Sequence, residues 1–203
     1  PRSSLPVDAQ LLTAAGSSPE VAHTATTGLP DSLKRLFRRG GWQLTPYGSF
    51  TVYSNFHEGG LAKEEPSIHE NAGRKTEPWT IEIGGLCAKP GKFEVNELVR
   101  AMGGIERRNY RHRCVEAWSM VIPWDGFPLA KLVALAEPKP EAKYVQFTSF
   151  FDPKNCAGQR SHDFPWPYKE GLTIAEAKNE LAFLATGLYR KPLRNQNGAP
   201  VRL

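Results

Sequence analysis

Apolar and polar positions alternate along the chain in short runs, and these runs predict a mixture of brief strands and helices. Residues 79–83 (WTIEI) alternate apolar with polar side chains, the pattern of a half-buried strand. Residues 143–150 (KYVQFTSF) predict another strand. Residues 128–136 (PLAKLVALA) predict a helix with proline at its start, where the missing N–H costs nothing. Because strands and helices do not alternate regularly, an α+β fold is favoured over a doubly wound sheet.

The remaining predicted elements are also short. Strands are expected at residues 47–56 and between the turns at Gly84-Gly85 and Pro90-Gly91, an extended run at 109–120, an apolar element at 182–188, and a turn leading into a strand at 195–203. Helices are expected at 31–39, 93–102 and 172–180, the last opened by Thr173. We predict a flexible N-terminal arm over residues 1–44, with a short basic helix, and a folded domain over residues 45–203.

Charge narrows the classes of partner. The chain has 26 basic and 21 acidic residues, a formal net charge of +5, which suits an acidic membrane surface or an anionic cofactor. Nucleic acid is disfavoured, because the sequence has no zinc-finger spacing, recognition-helix pattern or aromatic-basic signature of an RNA binder. No apolar run approaches the length needed to cross a bilayer.

Common catalytic and metal-binding motifs are missing from the sequence. There is no dinucleotide-binding glycine pattern, P-loop, serine-hydrolase elbow or zinc-protease helix motif. The cysteines are Cys87, Cys114 and Cys156, and none forms a CxxC pair. This sparse, odd set argues against a disulfide framework and a structural zinc site.

Cys114 lies in the segment with the most distinctive chemistry, residues 111–124 (RHRCVEAWSMVIPW). Arg113 precedes it and Glu116 follows closely. A neighbouring cation favours the thiolate, which is both a nucleophile and a soft metal ligand. From chemistry alone an ordinary buried cysteine is the competing interpretation, since free cysteine often packs as a small hydrophobe.

A resemblance to a known family covers most of the chain. The segment RCVEAWSMVIPWDGFPLAKL resembles the cofactor segment of molybdopterin oxidoreductases in the sulfite oxidase superfamily, on the branch of bacterial protein-methionine-sulfoxide reductase catalytic subunits. Further matches occur in the same order: YSNFHE, NAGRKTEPW, EAKYVQF, WPYKEGL and NQNGAPVRL. The resemblance implies a sulfite-oxidase-type molybdopterin-binding fold with its C-terminal part absent. That family continues past the segment matching Leu203 into a stretch that completes a phosphate site. Either the sequence is a portion of a longer protein or that stretch has been lost, and in the second case a tightly held cofactor is not expected.

The resemblance also assigns roles to particular residues. Cys114 would be the molybdenum ligand, with Glu116 as the pocket carboxylate and Asn55 as the pocket amide. The pterin would be held by polar residues matching family positions: Ser54, His57, Glu58, Ser149, Asn197 and Arg202. The family more usually has Asn, Tyr and Thr at the positions of Ser54, His57 and Ser149. Without the family, Glu116 would be an ion-paired surface carboxylate, Asn55 a loop residue and Arg202 a solvated charge.

The implied activity is reduction of sulfoxides, such as protein methionine sulfoxide, by oxygen-atom transfer at molybdenum held by molybdopterin. The implied electron donor is a membrane-bound haem protein, and the implied location is the periplasm, or an organelle in a eukaryote, peripheral to a membrane. A sulfite-oxidising enzyme of the same superfamily is less favoured, because the segment around Cys114 resembles the reductase branch more closely. The alternative from another class is a non-catalytic structural subunit of a membrane-bound electron-transfer complex that retains the fold.

Overall fold

The computed structural model describes residues 43–68 and 74–203. The basic helix predicted at 31–39, and nearly all of the predicted N-terminal arm, lie outside these residues. Within them, no helix is long and apolar enough to cross a membrane.

The described elements are short. The helices are α1 (Tyr47–Val52), α2 (Glu65–Ile68), α3 (Val95–Ala101), α4 (Leu129–Ala136) and α5 (Ile174–Ala177). The strands are β1 (Thr80–Ile83), β2 (Gly91–Glu94), β3 (Glu106–Arg113), β4 (Ser119–Pro128), β5 (Tyr144–Thr148), β6 (Lys169–Thr173), β7 (Phe183–Leu188) and β8 (Lys191–Pro192). Single turns of 3₁₀ helix occur at Ala157–Arg160 and Asn195–Asn197.

The strands of the described chain form antiparallel sheets around one long central strand. The largest sheet has four strands in the order β3-β4-β7-β8. Strands β1 and β2 pair separately, as do β5 and β6. Six of the ten residues of β4 are buried, and the other four are partly buried. Such a buried central strand with helices grouped around it confirms the predicted α+β class.

Two hydrophobic clusters lie along β4 and β7. The first packs helices α3, α4 and α5 against Phe127 and Leu184, and its other buried members are Leu98, Met102, Leu129, Val133 and Ala177. The second joins Ile122 and Leu188 to Leu193 and Ala199, with Tyr47 and Phe50 of α1 packed on it. The second cluster therefore brings α1 and the C-terminal loop together beside the same strand.

Several predicted elements are confirmed, with shifted ends. Helix α4 begins after Pro128, and strands β1 and β5 lie inside their predicted ranges. Thr173 opens α5 with a capping box: its Oγ1 accepts from the Glu176 amide at 3.2 Å, and its own amide donates to the Glu176 carboxylate at 2.8 Å. The helix predicted at 93–102 begins at Val95, because Glu94 ends β2 and caps α3. In place of the strand expected before Pro90, Cys87 forms one isolated bridge with Pro138.

The strand predicted at 47–56 is wrong, because its first half is helix α1. Its aromatic and β-branched composition favours a strand locally. In the fold, however, the amides of two C-terminal side chains cap the last carbonyls of the helix. Gln196 Nε2 donates to Thr51 O at 2.7 Å, and Asn197 Nδ2 donates to Phe50 O at 3.2 Å. These partners, distant in sequence, satisfy carbonyls that a helix end leaves open.

The extended run predicted at 109–120 is a hairpin. Strand β3 pairs with β4 in a register that places Arg113 opposite Ser119. The intervening residues reverse the chain and carry Cys114, so the basic-to-apolar change in this segment marks a turn between two strands.

We expect Phe127→Ala to lower the free energy of unfolding by about 3–5 kcal/mol, because the side chain is 1% exposed and its removal leaves a cavity in the first cluster. Chemical denaturation monitored by circular dichroism measures the change. The control is Ile105→Ala, at a residue that is 58% exposed, with an expected change within about 0.5 kcal/mol. Equal changes in the two variants would contradict the assignment of the core.

Candidate metal and cofactor site

Cys114 lies at the start of the turn that joins β3 to β4. Its amide donates to Trp118 O at 3.0 Å, and its carbonyl accepts from the Ala117 amide at 2.9 Å. Ala117 has a φ of 65°, the left-handed conformation that closes a three-residue hairpin loop with a bulge. An alanine there stores strain, as is common at functional sites. The turn fixes the backbone of Cys114, whose partly exposed thiol is not in a disulfide.

Asn55 and Glu116, which lie 61 positions apart in the sequence, are brought into contact. Asn55 Nδ2 donates a hydrogen bond to Glu116 Oε2. Lys63 joins both groups: its ammonium donates to Asn55 Oδ1 and lies 3.7 Å from Glu116 Oε1. The hydrogen bond from Asn55 and the positive charge of Lys63 lower the pKa of Glu116. The Glu116 carboxyl is therefore ionised at neutral pH and acts as an acceptor in this arrangement.

Glu58 and Ser149 form a second contact. Ser149 Oγ lies 3.5 Å from Glu58 Oε1, and Ser149 N donates to Tyr168 O at 2.8 Å. Burial is the main cause that raises the pKa of Glu58, against the opposing effects of its hydrogen bonds and of nearby cations. Burial therefore favours the protonated form of Glu58 more than it would in an exposed glutamate, and a protonated carboxyl can donate as well as accept.

A close backbone approach holds the Glu58 segment in place. Gly158 N donates to Glu58 O at 2.9 Å, and a Cβ on Gly158 would lie 1.7 Å from His57 O. Only glycine fits here. His57 itself is exposed, and its electrostatic interactions act to lower the pKa of both Glu58 and Glu116.

Asn197 and Arg202 form a third contact at the C-terminal loop. Arg202 Nη1 donates to Asn197 O at 3.1 Å, and the guanidinium lies 5.2 Å from the ring centre of Trp124. The backbone of Arg202 pairs with Ala185 of β7. Gly198 has a φ of 89°, and a Cβ there would lie 3.0 Å from the Arg202 Cβ. The glycine thus makes the turn and leaves room for the arginine side chain.

Protein groups surround the Arg202 guanidinium, although the residue as a whole is exposed to solvent. Desolvation by these groups lowers the pKa of Arg202. Desolvation and then the charge of Arg202 lower the pKa of His112 on β3, so His112 borders the same region. The electrostatic interaction with Glu58 raises the pKa of Arg202, which links the Glu58–Ser149 contact to the Asn197–Arg202 contact.

Buried oxygens without partners mark the same region as a place for a polar group. Ser54 Oγ and Asn197 Oδ1 are buried and have no hydrogen-bond partner among the described residues. A buried polar atom left unpaired costs about 1–3 kcal/mol, so such atoms usually meet water or a ligand. A molybdopterin offers ring donors and acceptors, together with an anionic phosphate. Hydroxyl, amide and carboxyl groups next to a guanidinium fit that chemistry.

Arg74, which the sequence analysis did not single out, connects these parts. The residue is 8% exposed. Its guanidinium donates to Ala199 O at 2.9 Å and to Asn195 O at 3.0 Å. The aromatic rings around it belong to Phe56, Trp79 and Phe150, with Phe150 the nearest at 4.7 Å. Arg74 therefore holds the C-terminal loop against the segment that carries Ser54 to Glu58.

The structure thus groups the predicted site residues in pairs: Asn55 with Glu116, Glu58 with Ser149, and Asn197 with Arg202. Ser54 and His57 lie in the same segment as Asn55 and Glu58. Cys114 follows β3 and lies in the same turn as Glu116. Within the described residues, the Cys114 thiol makes no hydrogen bond to the proposed pterin residues. Sequence reasoning missed Lys63, Arg74 and Gly158. A lysine within the acidic stretch KEE and an arginine beside Lys75 give no local signal of burial or contact.

A thiol on a hairpin turn, unpaired buried oxygens and a guanidinium are groups whose chemistry suits a polar, anionic cofactor with one soft protein ligand. Residues 69–203 match the oxidoreductase molybdopterin binding domain, and the chain belongs to that family. The predicted family, fold class and kind of cofactor are thereby confirmed. The individual roles of the site residues stay predictions.

The chain is similar to one curated protein and, more weakly, to one solved structure. Over 164 residues the chain is 50% identical to the protein-methionine-sulfoxide reductase catalytic subunit MsrP of Pseudomonas syringae pv. tomato. The aligned region covers 79% of this chain and 48% of the relative. The chain therefore spans about half the length of that curated relative. The crystal structure of the sulfane dehydrogenase SoxCD from Paracoccus pantotrophus matches 64% of this chain and 34% of its own, with a TM-score of 0.45 and 18% identity.

We expect Arg74→Met to lower the free energy of unfolding by about 2–4 kcal/mol, because two buried carbonyls lose charged donors while the apolar stem is kept. Thermal and chemical denaturation measure the change. The control, Arg100→Met, removes an exposed arginine from the last turn of α3 and is expected to change stability by less than about 0.5 kcal/mol. Native stability in Arg74→Met would exclude its role as the connecting residue.

Proposed function

We propose that this chain is the cofactor-holding part of a molybdenum-dependent oxidoreductase that reduces sulfoxides, with protein-bound methionine sulfoxide as the substrate class. The identity of 50% to a protein-methionine-sulfoxide reductase catalytic subunit supports the substrate class. The contact between Asn55 and Glu116 beside the Cys114 turn is the structural observation that carries the proposal. Glu116 lies in the same turn as Cys114, the thiol that a family resemblance assigns to the metal, so this contact supports an amide and a carboxylate as part of the site.

Cys114 supplies the protein ligand in this proposal. Its amide and carbonyl are both bonded within the turn, so its thiol points from a fixed backbone. When bound, molybdenum–molybdopterin would supply two-electron redox chemistry and a position that accepts the oxygen atom removed from a sulfoxide. Ser54, Asn197 and Arg202 would hold the organic part, since they combine unpaired buried oxygens with a cation that contacts the Asn197 carbonyl.

Asn55 orients the substrate in this proposal. A sulfoxide oxygen is a strong acceptor, and a carboxamide –NH₂ has two donor hydrogens. Glu116 occupies one of them, which leaves the second for the S=O oxygen. Glu116 is an acceptor with a lowered pKa, so it holds the amide and orders water instead of delivering a proton.

The electron donor and the location form a further part of the proposal. A membrane-bound haem protein would deliver electrons, and the protein would act in the periplasm, or in an organelle of a eukaryote, at a membrane surface. The relative is called a catalytic subunit, which supports a second component. The net charge of +5 suits contact with an acidic membrane surface. Cell fractionation with a periplasmic marker and co-purification of haem test this part.

We expect the protein purified from its native source to contain molybdenum in stoichiometric amount, and Cys114→Ser to lose it. A hydroxyl is a poorer ligand than a thiolate for this metal. Elemental analysis measures the content, and circular dichroism checks that the variant is folded. Cys87→Ser is the matched control and should retain the metal, because Cys87 lies on the far loop that bridges to Pro138. A folded native protein without molybdenum would contradict the enzyme proposal and favour the non-catalytic structural subunit.

We expect Asn55→Leu to reduce kcat/KM for methionine sulfoxide by about 10²–10³-fold, since it removes a donor aimed at the reacting oxygen. Molybdenum content should stay native. Steady-state assays with a reduced viologen dye as electron donor measure the effect. Asn96→Leu, at an exposed position of α3, is the control and should keep native kinetics. Unchanged kinetics in Asn55→Leu would show that the Asn55 amide has no role in the reaction.

A further inference from the structure

Lys63 lies at the centre of several contacts, although the sequence around it does not indicate this. Its side chain is 29% exposed, less than that of its partner Glu116 at 45%. The ammonium contacts the carboxamide oxygen of Asn55 and a carboxylate oxygen of Glu116. It also lies 5.2 Å from the ring centre of Trp118, within the range of a cation–π contact. One cation therefore touches the proposed pocket amide, the pocket carboxylate and an aromatic residue of the Cys114 turn.

These contacts restrict the Asn55 side chain to one orientation. An ammonium group has donors and no acceptor, so it must face the oxygen of the amide. The –NH₂ group then points at Glu116, as the structure shows. If the amide rotated by half a turn, its –NH₂ would meet the Lys63 ammonium and its oxygen would meet the Glu116 carboxylate. Both new contacts would be unfavourable, so Lys63 and Glu116 together prevent the flip.

The local backbone keeps Lys63 at this position. Lys63 O accepts from the Ser54 amide at 3.0 Å, which closes the loop that carries Asn55. Trp118, below the ammonium, packs against Tyr53 with ring centres 5.0 Å apart. The carbonyl of the same Trp118 accepts from the Cys114 amide. Lys63 is therefore connected through Trp118 to the backbone of the proposed metal ligand.

We propose that Lys63 is a positioning residue that locks the Asn55 amide so that its free N–H points at the substrate oxygen. This rests on the proposed function of the site, and it adds a residue that acts through Asn55 without touching the reacting atoms. The lock also predicts a preference for substrates whose reacting group is an acceptor, such as S=O, over substrates that present a donor.

The test is Lys63→Met in the native holoprotein, since methionine keeps the length of the side chain and removes its donors. We expect kcat for methionine sulfoxide to fall about tenfold, with KM changed less than about threefold, because the amide is lost mainly from transition-state stabilisation. Molybdenum content should stay native. The electron paramagnetic resonance signal of the metal should shift, and we expect the same shift in Asn55→Leu. Lys63→Arg retains a donor and is expected to recover most of kcat.

A double variant decides whether Lys63 acts through Asn55. Adding Lys63→Met to Asn55→Leu should change kcat by less than about twofold, since the group to be locked is already gone. A further tenfold loss would overturn the proposal. Lys89→Met, which removes an exposed ion pair with Glu137, is the matched control and should keep native kinetics.

The spectroscopic readout separates this proposal from the proposed activity. A native holoprotein that does not turn over methionine sulfoxide would refute the activity alone. The resonance signal would still test the lock, because it reports the surroundings of the metal with no substrate turned over. A native signal in a folded, metal-loaded Lys63→Met would overturn the positioning role, whatever the activity.

Discussion

The site depends on the buried guanidinium of Arg74. It is the group through which the segment Ser54–Glu58, the ring of Phe150 and the loop at Asn195–Ala199 meet. A guanidinium suits this position because its planar face packs on rings while its edge donates to carbonyls. Desolvation lowers the pKa of Arg74, which shows the cost of burying it, while electrostatic interactions with Cys156, Glu58 and Asp152 oppose that change. The charge is tolerated because its donors are satisfied.

Around that anchor the site has two sides with different chemistry. On one side, the Cys114 turn meets Asn55 and Lys63, a compact set of donors and acceptors that already satisfy one another. On the other, Asn197 and Arg202 are in contact, and the buried Oδ1 of Asn197 is unpaired among the described residues. Donors and acceptors that are already held in place suit a reacting group, and an unpaired buried oxygen suits a polar ligand.

Several features could be predicted from the sequence because their causes are local. The Thr173–Glu176 capping box, the proline before α4 and the alternation in β1 each act over a few residues, and the structure confirms them. The family and the kind of cofactor could be predicted because several family motifs, such as RCVEAWSMVIPW, follow one another along the chain in the same order as in the family. Tyr47–Val52 was assigned wrongly because the amides that cap it come from Gln196 and Asn197, far away in sequence.

The sequence by itself determined the composition of the site: a thiol, an amide, carboxyls and a cation in segments typical of one family. Only the tertiary structure decided which of these groups meet. Asn55 and Glu116 are 61 positions apart, and Arg74 reaches carbonyls more than 120 positions away. No periodicity or propensity encodes such contacts, because they depend on how β4, α1 and the C-terminal loop pack together. For the same reason Lys63 and Arg74, ordinary charged residues in the sequence, acquire their roles only in the folded chain.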